Sequence, residues 1–143
     1  MYDFMATVHP ELENRDFTAV LHQRPEDAFR IWLEAGFSGS DALSEKCVDL
    51  YAEIIGGVAG NWALKLLPRG GVYLLGGVLQ KNQANFQGKA SVIMESFLAR
   101  PNHTVALLRQ VPVFVVNAEV DVGLQGVLRV AREELLQHRD TYF

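Results

Sequence analysis

Two glycines, Gly76 and Gly77, directly follow the apolar run Val72-Tyr73-Leu74-Leu75. Lacking Cβ atoms, they let a ligand approach the main chain closely. In layered α/β domains, ligands gather at the carboxyl ends of strands. A nucleotide base or ribose could therefore lie flat against this turn, with Val78 next in line. The competing reading is an ordinary turn. A second place for chemistry is Asp121-Val122-Gly123-Leu124-Gln125-Gly126 at the start of a helix, where unpaired backbone N–H groups could meet a polar ligand. Its plainer reading is a helix start with Asp121 as the cap.

Other chemistries lack their parts. His9, His22, His103 and His138 are far apart and show no metal-ligand spacing, and one cysteine, Cys47, cannot complete a common zinc site. There is no G-x-x-x-x-G-K-[ST] phosphate loop, no G-x-S-x-G elbow, and no pair of carboxylates beside a base. The 13 basic and 17 acidic residues leave a net charge of −4, which excludes a general electrostatic grip on nucleic acid or anionic lipid. The lone cysteine fits a reducing compartment. No stretch reaches the ~20 apolar residues of a membrane span; the longest candidate, 54–67, is broken by Gly56, Gly57, Gly60, Asn61 and Lys65. The start, Met-Tyr-Asp-Phe-Met, lacks the pattern of a signal peptide. These features predict a cytoplasmic protein, and 143 residues predict one domain.

The elements that must position the glycine turn follow from periodicity. Tyr2 to Val8 reads as a short helix stopped by Pro10, and Glu11 to Gln23 as loop or weak helix. Arg24-Pro25-Glu26-Asp27 starts a helix with Phe29, Trp32 and Leu33 as its stripe and Gly36 closing it. From Ser40 to Leu67, Leu43, Cys47, Leu50, Ile54, Val58, Trp62 and Leu66 suggest one stripe of a long helix. Gly56, Gly57 and Gly60 within it each cost about 1 kcal/mol against alanine, so another backbone is expected to pass close by. Val72 to Leu75 and Val113 to Val116 read as buried parallel strands. Asn85 to Leu98 is read as a helix, and so is Gly123 to Gln137, with Leu124, Val127, Leu128, Ala131 and Leu135 on one face. The order helix, strand, helix, strand, helix implies helices covering a small parallel sheet. The first third is read as poorly tied to it.

Taken whole, Ala59-Gly60-Asn61-Trp62-Ala63-Leu64-Lys65-Leu66 followed by Arg69-Gly70-Gly71-Val72-Tyr73-Leu74-Leu75-Gly76-Gly77-Val78 resembles bacterial-type glucokinase. In that family a long helix ends in an A-G-N-x-A-L run and leads into G-G-V-Y-I-x-G-G-I. Val111-Pro112-Val113 and Gly123-Leu124-x-Gly126 resemble its closing strand and last helix, and the similarity spans roughly Pro25 to Leu136. The resemblance implies the carboxyl-terminal part of an actin-like ATPase (ribonuclease H-like) fold, a helix-rich α/β class with a small, largely parallel sheet. The whole chain, 1–143, is then one domain, with 1–24 peripheral, 25–137 the matching core and 138–143 a tail.

The implied activity is transfer of the γ-phosphoryl group of ATP to the 6-hydroxyl of glucose with Mg²⁺, a step of glycolysis. Gly76, Gly77 and Val78 would be the adenosine-contacting turn, with Gly123 beside the same pocket. Phosphoryl transfer needs phosphate-cradling amides, a bridging metal and an oriented base. The family's D-x-G-G-T-N loop, G-T-G-L-G turn and E-x-G-H sugar run have no counterpart here. No catalytic residue and no Mg²⁺ site is therefore assigned to this chain, and glucose would be held by sequence it lacks. Asp16-Phe17-Thr18-Ala19 echoes the run carrying the family's catalytic aspartate, but Arg15 replaces its asparagine, and Asp16 is read as a surface acid. Gln80 stands where proline is frequent, Gln125 replaces a leucine, and Ala99-Arg100-Pro101-Asn102 stands near a missing basic run. The alternative is a non-catalytic dimerisation or regulatory module, with Trp32, Phe37 or Phe143 on a homodimer surface.

Overall fold

A computed structural model describes residues 1–117 and 119–137, with side chains through 134. The helix α4 (Ala42–Leu66) is the spine. Asp41 starts it, its Oδ2 accepting the Ser44 N–H at 2.8 Å. Packed along α4 are α1 (Tyr2–Val8), α3 (Ala28–Ser38), α7 (Ala90–Leu98) and α8 (Asn102–Leu108). The remaining elements are the 3₁₀ turn Pro10–Leu12, α2 (Arg15–Gln23), β1 (Val72–Leu74), α5 (Gly77–Lys81), α6 (Gln83–Gln87), β2 (Val113–Val115) and α9 (Val122–Gln137). The result is a helix-rich α/β fold with a two-stranded parallel sheet, in register Val72 with Val113, Tyr73 with Phe114 and Leu74 with Val115.

Three apolar clusters follow one another along α4. The first joins Tyr2, Met5, Leu21, Trp32 and Leu33 to Leu43, Cys47 and Val48. The second is built on Ala52, Leu79, Phe86 and Ile93, and the third on Ala59, Ala63, Phe97 and Leu108. Residues 1–24, expected at the periphery, thus bury three side chains in the first cluster. The polar stretch before Arg24 is a firm helix because Asn14 caps it: its Oδ1 accepts the N–H groups of Asp16 and Phe17 at 3.1 and 3.2 Å.

The long stripe of α4 is not one buried face. Leu43 and Cys47 are buried, but Ile54, Val58, Trp62 and Leu66 are exposed, Trp62 at 52%. Each step of four residues advances a side chain by about 40° around a helix, so four such steps from Leu50 to Leu66 carry it about 160° away. The buried line in the second half runs instead through Ala52, Gly56, Ala59, Gly60 and Ala63. These small residues bring the α7 backbone against α4. A Cβ on Gly56 would overlap the Ile93 carbonyl oxygen, and one on Gly60 would sit 2.6 Å from that of Phe97. The close approach expected at the glycine cluster is therefore made by α7. Ser96 Oγ and Arg100 seal it by donating to the Glu53 and Gly57 carbonyls, each at 2.6 Å.

Further boundaries differ. Gly36 does not end α3, which continues to Ser38 with Gly39 in the left-handed region (φ 70°) beyond it. Gly36 lacks a side chain because α4 crosses there; its Cβ would stand 2.6 Å from Val48 Cγ2. The segment read as one helix from Asn85 is α6, a break at Gly88, then α7, and α5 begins within the glycine turn itself, at Gly77. The helix α8 had no signal in the pattern. Asp121 does cap α9, its Oδ1 accepting the Leu124 N–H at 2.9 Å. The α9 apolar face is not packed: Leu124, Val127 and Leu128 are exposed, and Leu135 lies outside the described side chains. Amphipathic spacing makes a face apolar but does not bring a partner to it.

Candidate functional site

Both predicted strands form, three residues each, and alternation decides their faces. Val72, Leu74, Val113 and Val115 turn toward α4 and α7. Tyr73 and Phe114 turn outward and stack, centroids 5.0 Å apart and planes 24° from parallel. The sheet is thus covered on one face only, less buried than its apolar runs suggested. Leu74 continues the ladder past the strand end, its carbonyl accepting the Val116 N–H at 3.1 Å.

At the carboxyl end of β1 the chain turns sharply through Gly76, with φ 130° and ψ 147°. That conformation is closed to side chains, so Gly76 is explained by its backbone. Gly77 is different. Its φ is ordinary, and a Cβ there would meet no atom within 4 Å. Neither backbone strain nor a neighbour among the described residues requires this glycine. Val78 points the other way, its side chain packing partly buried against the first and second clusters.

Loops that follow adjacent parallel strands leave the sheet on the same side, which brings the end of β2 to the end of β1. A cleft of about 570 Å³ opens there, lined by Leu75, Gln80, Val120, Asp121, Val122 and Gly123. Gln80 Nε2 donates to the Asn117 carbonyl at 3.2 Å and ties the second loop to α5. The structure therefore gathers Gly123 with the flanks of the Gly76–Gly77 turn, while the Val78 side chain stays outside the cleft. Sequence reasoning missed Gln80 and Val120 as wall residues. Only the parallel pairing, which sets the two loops side by side, identifies them.

Other reactive groups are placed where they cannot act. Cys47 is fully buried, and burial pushes its thiol up to about 11, so no thiolate exists at neutral pH. Burial likewise pushes Tyr2 up to about 12. Asp16 is exposed in the first turn of α2, a surface acid as expected. Among the described residues no group of three His, Cys, Asp or Glu could hold a metal ion; His138 lies outside them. The open glycine turn and the cleft beside it leave room for a flat ligand, whereas the described residues there offer Mg²⁺ no ligand set. No described helix is long and apolar enough to cross a membrane.

The sequence model of the Glucokinase family matches residues 1–134. The chain belongs to the glucokinase family. Among curated relatives, it is 33% identical to a glucokinase of Synechocystis sp., over 57% of this chain and 25% of that protein. It is 37% identical to one of Nostoc sp. over 65% and 26%, and 35% identical to one of Agrobacterium fabrum over 68% and 27%. The chain thus spans about a quarter of the length of the curated glucokinases it matches. No solved structure matches it.

Proposed function

We propose that this chain is the carboxyl-terminal, nucleotide-side portion of a glucokinase-type sugar kinase, part of an actin-like ATPase fold. The whole enzyme would transfer the γ-phosphoryl group of ATP to glucose, giving ADP and glucose 6-phosphate with Mg²⁺. Here Gly76, Gly77, the Val78 main chain and Gly123 contact adenosine. The observation that carries this reading is Gly77: nothing among the described residues needs a bare Cα at that position, and it faces open space beside the cleft. A surface approached by a flat ligand supplies the missing reason. The base, the sugar contacts and the phosphate loops belong to sequence this chain lacks, so by itself it is catalytically incomplete.

Two measurements test the proposal. Gly77→Val keeps the fold, since an added Cβ meets no described atom within 4 Å, but abolishes ADP binding in titration calorimetry; unchanged binding removes Gly77 from the site. The isolated chain produces no glucose 6-phosphate in a coupled assay, and measurable production refutes the assignment of the base elsewhere.

A second reading, a dimerisation module derived from a sugar kinase, draws on one observation: Ile54, Val58, Trp62 and Leu66 form an exposed apolar line along α4. Of the three aromatics expected on such a surface, Trp32 is buried, Phe37 packs edge-on against Phe86 at 5.0 Å, and Phe143 lies outside the described residues. Sedimentation equilibrium tests it; a monomer at high micromolar concentration rejects it, and Trp62→Glu dissociates a dimer if one forms.

A further inference from the structure

We infer that Asp121 reads the ribose hydroxyls of a nucleotide seated in the cleft between Leu75–Gln80 and Val120–Gly123. The inference rests on the nucleotide reading above and concerns which part of the nucleotide enters, and why.

The cleft has two kinds of wall. Leu75, Val120 and Val122 are apolar and suit the face of a base, while Gln80 and Asp121 are its polar groups. One N–H of the Gln80 amide is already committed to the Asn117 carbonyl, and Asp121 is the charged acceptor of the cleft. Asp121 is half-committed: Oδ1 accepts the Leu124 N–H at 2.9 Å, while Oδ2 has no partner among the described residues. An ionised carboxylate only accepts hydrogen bonds, so whatever fills this position must present donors. Vicinal sugar hydroxyls do so, and hydrogen bonds to a charged acceptor are stronger than neutral ones. Acidic side chains read ribose hydroxyls in the same manner at the strand ends of dinucleotide-binding sheets.

The same charge settles what stays out. The start of α9 would otherwise favour an anion, but Asp121 fills one of its free N–H groups and sets a negative charge at the mouth. Phosphates are therefore directed away from α9, and the nucleoside end lies in the cleft. The cap also fixes the carboxylate, because the bond that starts α9 holds Oδ1 and leaves Oδ2 without a hydrogen bond among the described residues.

The test is an amide NMR titration of the 143-residue chain with ADP and with 2′,3′-dideoxy-ADP, for the native protein and Asp121→Asn. Asparagine caps helices as well as aspartate does, so α9 is preserved while the charge and the second acceptor are lost. The native chain should bind ADP about tenfold or more tightly than the dideoxy compound. Asp121→Asn should bind both at the weaker level. Equal binding of the two nucleotides by the native chain, with the Gly76 and Gly77 amides still responding, overturns the ribose role and leaves the nucleotide reading intact. No response of those amides to ADP overturns both. A response around Asp121 to glucose, matched by none to ADP, overturns the assignment in favour of a sugar site.

Discussion

Adjacent glycines of α4 should respond to alanine with opposite signs. At Gly56 an added Cβ overlaps the Ile93 carbonyl oxygen and lies 2.9 Å from its carbon and 3.1 Å from the Phe97 nitrogen. All three are backbone atoms of α7, so no rotamer change relieves the clash and the whole helix must retreat. Retreat strains the Ser96–Glu53 and Arg100–Gly57 hydrogen bonds and loosens Phe97, which is fully buried. Overpacking a tight core costs about 1–3 kcal/mol, occasionally more, and a clash with immovable backbone belongs at the upper end. Alanine recovers about 1 kcal/mol of helix propensity over glycine. The net expectation for Gly56→Ala is a loss of about 2 kcal/mol, or about 6–8 °C in Tm for a domain of this size. At Gly57 the added Cβ meets only Ser96 Oγ, at 3.4 Å, an ordinary contact. Propensity is then unopposed, and Gly57→Ala should gain about 0.5–1 kcal/mol. Urea unfolding followed by circular dichroism measures both. If Gly56→Ala is as stable as the native chain, or if the two variants shift together, α7 does not seat on Gly56 and the packing described here is incorrect.

Two further outcomes follow from burial. Phe97→Ala should cost about 3–5 kcal/mol. Trp62→Ala, half exposed with Lys65 Nζ 4.9 Å above its ring, should cost about 1 kcal/mol or less in the same unfolding experiment. A loss at Trp62 equal to that at Phe97 would place Trp62 in a core. Alkaline pH should destabilise the fold. The Cys47 thiol has an ordinary value of 9.0 and a folded value of about 11, so the unfolded chain gives up its proton first. Stability is whole below pH 9 and falls through the window up to about 11, with Tyr2 extending the decline from 10.0 toward about 12. Cys47→Ala should flatten the first part of that decline in melting temperatures measured from pH 8 to 11; an unchanged slope would remove Cys47 as its cause.

Local chemistry determined much of this protein. Asp121 could be read as a cap, because capping needs only a carboxylate two or three residues ahead of free N–H groups. Val72 to Leu75 and Val113 to Val116 were visible as strands between glycine and proline breaks, one residue longer than observed, and the G-G-V-Y run carried the family resemblance. The glycines of α4 announced a close neighbour, since nothing else repays their cost in a helix. Which neighbour it was, and which side of α4 it took, depended on the tertiary fold. A step-of-four pattern drifts around the helix, so Leu43 and Trp62 end on different sides, and alanines too small to stand out in a hydropathy pattern form the real seam. The site divides in the same way. Gly76 and Gly77 were singled out by their place after an apolar run, but Leu75, Gln80 and Asp121 became walls of one cleft only when β1 and β2 paired in parallel. Residues some forty positions apart have no local signal of being neighbours, because strand pairing is settled by packing against α4 and α7.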